Sequence, residues 1–325
     1  MPARSKSLVI IVGLAFLFSW TNPAIGSSID KLEKLADSDF IPEVREAASR
    51  ALARKYINQK TSPSELINIA ENAGTDQLRN AVISALTRRY EDAKRLGSLK
   101  EALEKASQLE EKVKSGEIPA VREAASSALG FHYLAFNVNE VEGYSLREVE
   151  AIATGAEDSG LRKAGSVALE YIYPNHYSAD ELTELITSTS HETIKRGAAG
   201  ALAIRYSSQM PPNPDLNTLR EIASDENESR WIREASGRAF GELASDQVKS
   251  DQLKELALSG NTAEIRAGAA DAWSRALIRS EKTQGELLRM ASAATGFAPS
   301  DYRKAITVAL ADRMFKTGAR VQGGQ

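Results

Sequence analysis

A short segment of this chain is written eight times. The copy Val44-Arg45-Glu46-Ala47-Ala48-Ser49-Arg50-Ala51-Leu52 is followed by others that open at Leu78-Arg79, Val121-Arg122, Leu161-Arg162, Ile194-Lys195, Ile232-Arg233, Ile265-Arg266 and Tyr302-Arg303. Successive basic residues stand 34, 43, 40, 33, 38, 33 and 37 positions apart, a mean near 37. A period of that size belongs to helical hairpins, each of which buries its apolar face only by stacking on its neighbours.

The columns of the repeat carry the physics. Six residues after the base stands Ala in every copy (Ala51, Ala85, Ala128, Ala168, Ala201, Ala239, Ala272, Ala309), and two after it stands Ala or Gly. Small residues four apart share one helix face, so two backbones can approach closely there. The next residue is large, Leu in six copies and Phe240 or Trp273 in the others, and fills the space between layers. Apolar positions such as Val44, Ala48, Ala51 and Leu52 form the stripe of an amphipathic helix. A shorter helix precedes each of these. Five capping boxes predict where such helices begin: Ser62 with Glu65, Ser98 with Glu101, Ser145 with Glu148, Ser178 with Glu181, and Thr283 with Glu286. No run alternates at strand period, so the chain is read as all-α.

The acidic residue followed by apolar-Arg-x-Ala-Ala-x-x-Ala-Leu resembles HEAT-type repeats, the short HEAT-like variety common in bacteria. The resemblance spans about residues 28–316 and implies a right-handed α-solenoid of about eight HEAT-like helical hairpins. It also implies that the Arg pairs with an acid near the preceding turn, a role open to Asp39, Asp76, Asp158 and Asp301, with His191-Glu192 before Lys195 a looser match. Architecture follows from the resemblance; function hardly does, because such solenoids serve many roles.

Residues 1–26 read as a secretory leader: Arg4 and Lys6, an apolar run from Leu8 to Phe18, then Ala24-Ile25-Gly26 before the expected cleavage. That apolar run is short of the ~20 residues that span a bilayer. The expected organisation is therefore a leader at 1–26, a repeat body at 27–316 and a flexible tail at 317–325, exported to the periplasm or the cell exterior, with no membrane insertion of the mature chain. Without the leader 39 basic residues face 44 acidic ones, a balance of −5 that disfavours a nucleic-acid binder. The chain has no Cys, so it has no disulfide, thiolate metal site or Cys nucleophile.

The basic column invites an anion-binding reading, but at the start of a helix it is read as structural, bridging turns. Tyrosines eleven residues after the base (Tyr56, Tyr90, Tyr133, Tyr173, Tyr206) are read as capping the core with their hydroxyls at its edge. More informative are positions nine after the base, predicted to face away from the core: Arg54, Arg88, Phe131, Tyr171, Ile204, Glu242, Arg275 and Asp312. Phe131, Tyr171 and Ile204 are apolar or aromatic where a solvent face calls for polar residues. With Arg54 and Arg88 at its approach, that patch is the expected site for a protein or peptide partner.

No motif carries catalysis, and neither cofactor nor metal is expected: there is no His-Glu-x-x-His, no phosphate loop and no Gly-x-Ser-x-Gly. Ser28-x-x-Lys31, Tyr173-x-Asn175 and Lys316-Thr317-Gly318 follow the order of penicillin-recognising serine enzymes. They are discounted because that chemistry needs Lys-Thr-Gly on a strand and because the ends of an elongated stack lie apart. Asp225-Glu226-Asn227-Glu228 reads as a solvated turn. The chain is expected to be a non-enzymatic scaffold; a HEAT-like lyase-type accessory enzyme, a HEAT-like nucleic-acid binder and a structural envelope component are the alternatives.

Overall fold

The computed structural model describes residues 29–37, 41–91, 99–115, 118–137, 144–208, 214–294 and 298–322. Among the described residues are sixteen α-helices, one short 3₁₀ turn (Tyr173–Asn175) and no strand. They pair in chain order: α1 (Ile29–Asp37) with α2 (Pro42–Asn58), α3 (Pro63–Asn72) with α4 (Asp76–Glu91), α5 (Leu99–Ser115) with α6 (Pro119–Asn137), and α7 (Leu146–Gly155) with α8 (Ser159–Ile172). The second half continues with α9 (Ala179–Ser188) and α10 (Glu192–Ser207), α11 (Leu216–Ser224) and α12 (Arg230–Gln247), α13 (Ser250–Ser259) and α14 (Ala263–Arg279), and α15 (Gln284–Ala294) and α16 (Ser300–Gln322). Every copy of the repeated segment falls in an even-numbered helix. The leader at 1–26, Ser28, Asp39 and the cap at Ser98 lie outside the described residues.

Local signals place the helix starts. Ser145 and Ser178 close complete capping boxes with Glu148 and Glu181. Thr283 does the same, its N–H donating to Glu286 at 2.7 Å while the Glu286 N–H donates back at 3.2 Å. Ser62 accepts the Glu65 N–H, and Asp215 caps α11 by accepting the Thr218 N–H at 2.8 Å.

The even helices pack side by side from α2 through to α16, and α16 packs back against α2. Each odd helix lies on its own even partner and on the next even helix, and α15 touches α2 in the same way. Odd helices make no comparable contact with one another among the described residues. Two layers result: a closed ring of even helices inside a collar of odd ones, whose larger circumference holds them apart.

The ends of the stack therefore meet, where the sequence predicts them apart. Eight seams that each turn the chain by about 45° bring it back on itself, because curvature is the sum of small rotations per repeat. The closing seam reuses an internal one. Arg233 of α12 donates to Glu264, two residues before the base of α14, at 3.3 Å; Arg303 of α16 donates to Glu43, two residues before the base of α2, at 2.8 Å. Helix α16 also runs on to Gln322, into the stretch predicted to be a tail.

The alanine column is the core of the ring, all eight residues completely buried. Neighbouring even helices touch through small residues four after the base: Ser49, Ser126 and Ser166 donate to the carbonyls of Gln77, Gly160 and Thr193, two residues before the next base, at 2.6, 2.6 and 2.9 Å. Gly241 sits so close to α14 that a Cβ there would stand 2.9 Å from the Gly268 carbonyl oxygen.

Candidate functional site

Positions one, five and nine after the base share one helix face, opposite the large buried residue at seven. In a ring whose collar covers the other side, that face looks into the centre. Axes 8–10 Å apart set eight helices on a circle of roughly 12 Å radius, and helix half-widths of about 5 Å leave a passage roughly 14 Å across before long side chains are counted.

The five predicted partner-binding residues stand at position nine of α2, α4, α6, α8 and α10, so they occupy consecutive staves of this passage. Phe131 and Tyr171 meet, ring centroids 5.8 Å apart, and Tyr171 is 38% exposed. Among the described residues it is one of two large apolar side chains that open, the other being Leu258. Ile204 is half-buried on the next stave and Arg88 is exposed. Arg54 is drawn to the closing seam, where it donates to Asp312 at 3.4 Å and lies 6.0 Å from the centre of the Phe315 ring. It belongs as much to closure as to any ligand.

The opposite arc is charged and internally paired. Arg275 holds Glu242 at 2.6 Å and Asp271 at 2.7 Å, and Arg279 pairs with Asp246. The hydrogen bond from Arg275 keeps the Glu242 carboxyl below the ordinary carboxylate range, against the opposing effect of its partial burial. Between the two arcs Glu170 of α8 reaches past α10 to Arg238 of α12, at 2.5 Å. Only a glycine lets it pass: a Cβ at Gly200 would stand 2.5 Å from the Glu170 Cδ. Burial opposes the charge on Arg238, but the bond to Glu170 and the field of Glu234 outweigh it, and its pKa lies above the ordinary value. Glu170 and Arg238 were missed by the reading of position nine, which noted Gly200 only as a flank of the apolar patch. The column four residues earlier, on the same face, holds Gly200 and Arg238 and was the available signal.

The basic column is structural, although its partners differ from the expected ones. Arg79 bonds Asp76 at 2.9 Å as expected, and also the Ala73 carbonyl at 2.8 Å. Arg162 donates instead to the Ala156 and Glu157 carbonyls, and Asp158 accepts the N–H groups of Gly160 and Leu161. Arg266 likewise takes the Gly260 carbonyl at 2.7 Å, and Arg303 pairs with Glu43 rather than Asp301. In Arg79, Arg162 and Arg266 the guanidinium thus closes the open C-terminus of the odd helix in its own hairpin, a need that every helix end has.

The tyrosines do more than edge the core. Tyr56, Tyr133 and Tyr173 are at most 1% exposed, and their hydroxyls donate to Glu33, Glu110 and Glu150 of the collar at 2.6, 3.0 and 3.0 Å, each 23 residues earlier. Burial first, and the neighbouring carboxylate second, push all three hydroxyls well above the usual tyrosine range. His132 is buried with a ring nitrogen 3.2 Å from the Tyr90 carbonyl oxygen. Lys316-Thr317-Gly318 lies inside α16, not on a strand, and Lys316 pairs with Asp312 at 2.8 Å. Closure places that motif beside the first hairpin, so the helix, not the distance, is what sets it aside. Asp225 accepts the Asn227 N–H at 2.9 Å within its own turn. Among the described residues no helix is long and apolar enough to cross a membrane, and no three acidic or imidazole groups are placed to share a metal ion.

Comparison of the chain with protein-family models, with curated proteins and with solved structures finds no match.

Proposed function

We propose that this chain is an exported, non-enzymatic scaffold of right-handed HEAT-like hairpins curled into a ring, which holds an extended segment of a protein or peptide partner against its inner face. The observation that carries the reading is the Phe131–Tyr171 pair, an open aromatic contact on the face turned into the passage. An aromatic pair presented on rigid helices binds at little ordering cost. A passage of roughly 14 Å suits one extended chain, about 10 Å across its side chains, and excludes a folded domain. The ionised groups of the opposite arc are engaged with one another, which suits positioning better than proton transfer. Ring closure also argues against a purely structural envelope component, because stacking of copies through terminal repeats needs free ends. The mildly acidic body favours a polypeptide over a nucleic acid.

The test is alanine at both Phe131 and Tyr171 in the full chain, followed by capture from the secreted and periplasmic fractions of the source cells. Partner recovery is expected to drop at least about tenfold, in keeping with the loss of two anchor residues. Recovery equal to wild type overturns the reading, and so does a captured scaffold that retains residues 1–26.

A further inference from the structure

The ring has one seam unlike the other seven. The chain runs on across each of those seven, while α16 meets α2 with no connection between them. What the closing seam buries differs as well. Among the described residues three Asp, Glu, Lys or Arg residues are buried, Glu43, Lys55 and Asp312, at 4, 5 and 7% exposure, and all three stand here. Each meets a group from the other side: Arg303 donates to Glu43 at 2.8 Å, Arg54 pairs with Asp312 at 3.4 Å, and the Lys55 ammonium lies 5.4 Å from the centre of the Phe315 ring. Internal seams close on small residues, as where Ser49 and Ser126 reach the carbonyls opposite. The matching internal ion pair, Arg233 with Glu264, keeps 18 and 14% of its side-chain surface in water.

A seam that buries charge parts more readily than one that buries methyl groups. Taking two ions out of water costs about as much as their attraction returns, so separating them restores hydration that offsets the lost contact. Opening an alanine seam gains nothing of that kind and exposes apolar surface. The seam without a connection is thus also the seam whose contents return to water at least cost. A passage too narrow for a folded domain, if it never opened, could be filled only by threading a free chain end.

We propose that the ring opens between α2 and α16 and takes its partner in sideways, so that the segment it clasps is an internal stretch of a polypeptide with folded parts on both sides. This entry route presupposes the extended polypeptide of the proposed function; the opening itself is measured without any partner.

The chain has no Cys, so labels go only where a thiol is introduced. Spin labels on Glu46→Cys and Lys304→Cys, one residue after the base of α2 and of α16, report the closing seam; Arg196→Cys and Glu234→Cys, at the same position of α10 and α12, report an internal one. All four sites are at least partly exposed. In the free full-length chain, pulsed electron paramagnetic resonance of the closing pair is expected to show a second, longer distance. Glu43→Gln, which leaves Arg303 unmatched, raises its share at least about threefold, and Glu43→Met with Arg303→Met lowers it below that of the Gln variant. The internal pair keeps one distance throughout. Bridging the two closing-seam thiols with a short cleavable bismaleimide before mixing with the secreted and periplasmic fractions cuts partner recovery at least about tenfold, and cleaving the bridge restores it. A single short distance at the closing pair in both wild type and Glu43→Gln, an equal second distance at the internal pair, a Met pair that opens as often as Glu43→Gln, or full recovery by the bridged ring overturns the proposal. Where the unbridged ring recovers no partner, the proposed function fails, and the distances alone still decide whether the seam opens.

Discussion

Tyr173 shows how a single side chain joins the two layers. Its ring is completely buried and its hydroxyl donates to Glu150 on the collar helix of the same hairpin. The tyrosine column is visible in the sequence; its partner is not, because an amphipathic collar helix offers several acids and only packing selects the one that faces inward. Tyr173→Phe is expected to cost about 1 kcal/mol in urea denaturation, the net value of one such bond. The pH dependence follows from the direction of the shifts. The buried tyrosines hold their protons above the unfolded value of about 10, so what they contribute is complete below that pH and is lost as pH rises further. Glu148, Glu181 and Glu286 lie below their ordinary range, chiefly because the backbone N–H of the cap residue bonds the carboxylate. Their contribution is present above the unfolded value of about 4.3 and is lost as pH falls through the folded one. Thermal melting should therefore plateau between about pH 5 and pH 9 and fall on both sides. Tyr173→Phe should soften the alkaline fall and leave the acid one alone.

At the scale of the helix, two glycines in even helices have opposite reasons for being there. Gly241 of α12 faces the Gly268 carbonyl oxygen of α14, and backbone cannot give way. Gly241→Ala is expected to cost about 2 kcal/mol through overpacking, even though alanine is the better helix former. Gly200 of α10 faces only the flexible Glu170 side chain. Gly200→Ala should leave the midpoint of urea unfolding within about 1 kcal/mol of wild type, since the gain in helix propensity offsets the displaced ion pair. If the two variants were equally destabilised, the close approach of α12 to α14 would not be what holds Gly241. Neither glycine falls in the small-residue columns two and six after the base that mark the contact in the sequence. Nor was it legible there whether the neighbour is backbone or a mobile carboxylate, because that depends on how far each helix is rotated about its own axis.

The whole molecule depends on a seam between residues about 260 positions apart. Glu43 is 4% exposed and accepts from Arg303, which is one-third exposed, and Arg54 pairs with Asp312 beside it. Removing one partner of a mostly buried pair leaves the other charge unmatched; Glu43→Ala is expected to cost about 2 kcal/mol, below the fully buried case because Arg303 keeps some water. A closed ring of this length should scatter X-rays with a radius of gyration of about 20 Å, as a compact chain does. A distinctly larger value, with unfolding of Glu43→Ala unchanged, would mean that the ends do not stay together in solution.

Eight hairpins, their starting caps, the alanine seams and a face at position nine turned away from the core could all be read from spacing, because each is a local consequence of helical periodicity and of a repeat that only its neighbour can cover; which layer lines the inside could not. Closure and the Glu170 bridge over Gly200 belong to the folded molecule alone. The turn per repeat is the outcome of many packing distances, and its sum over eight seams separates a rod from a ring. No column of residues states that sum; it exists only when all the helices are in place.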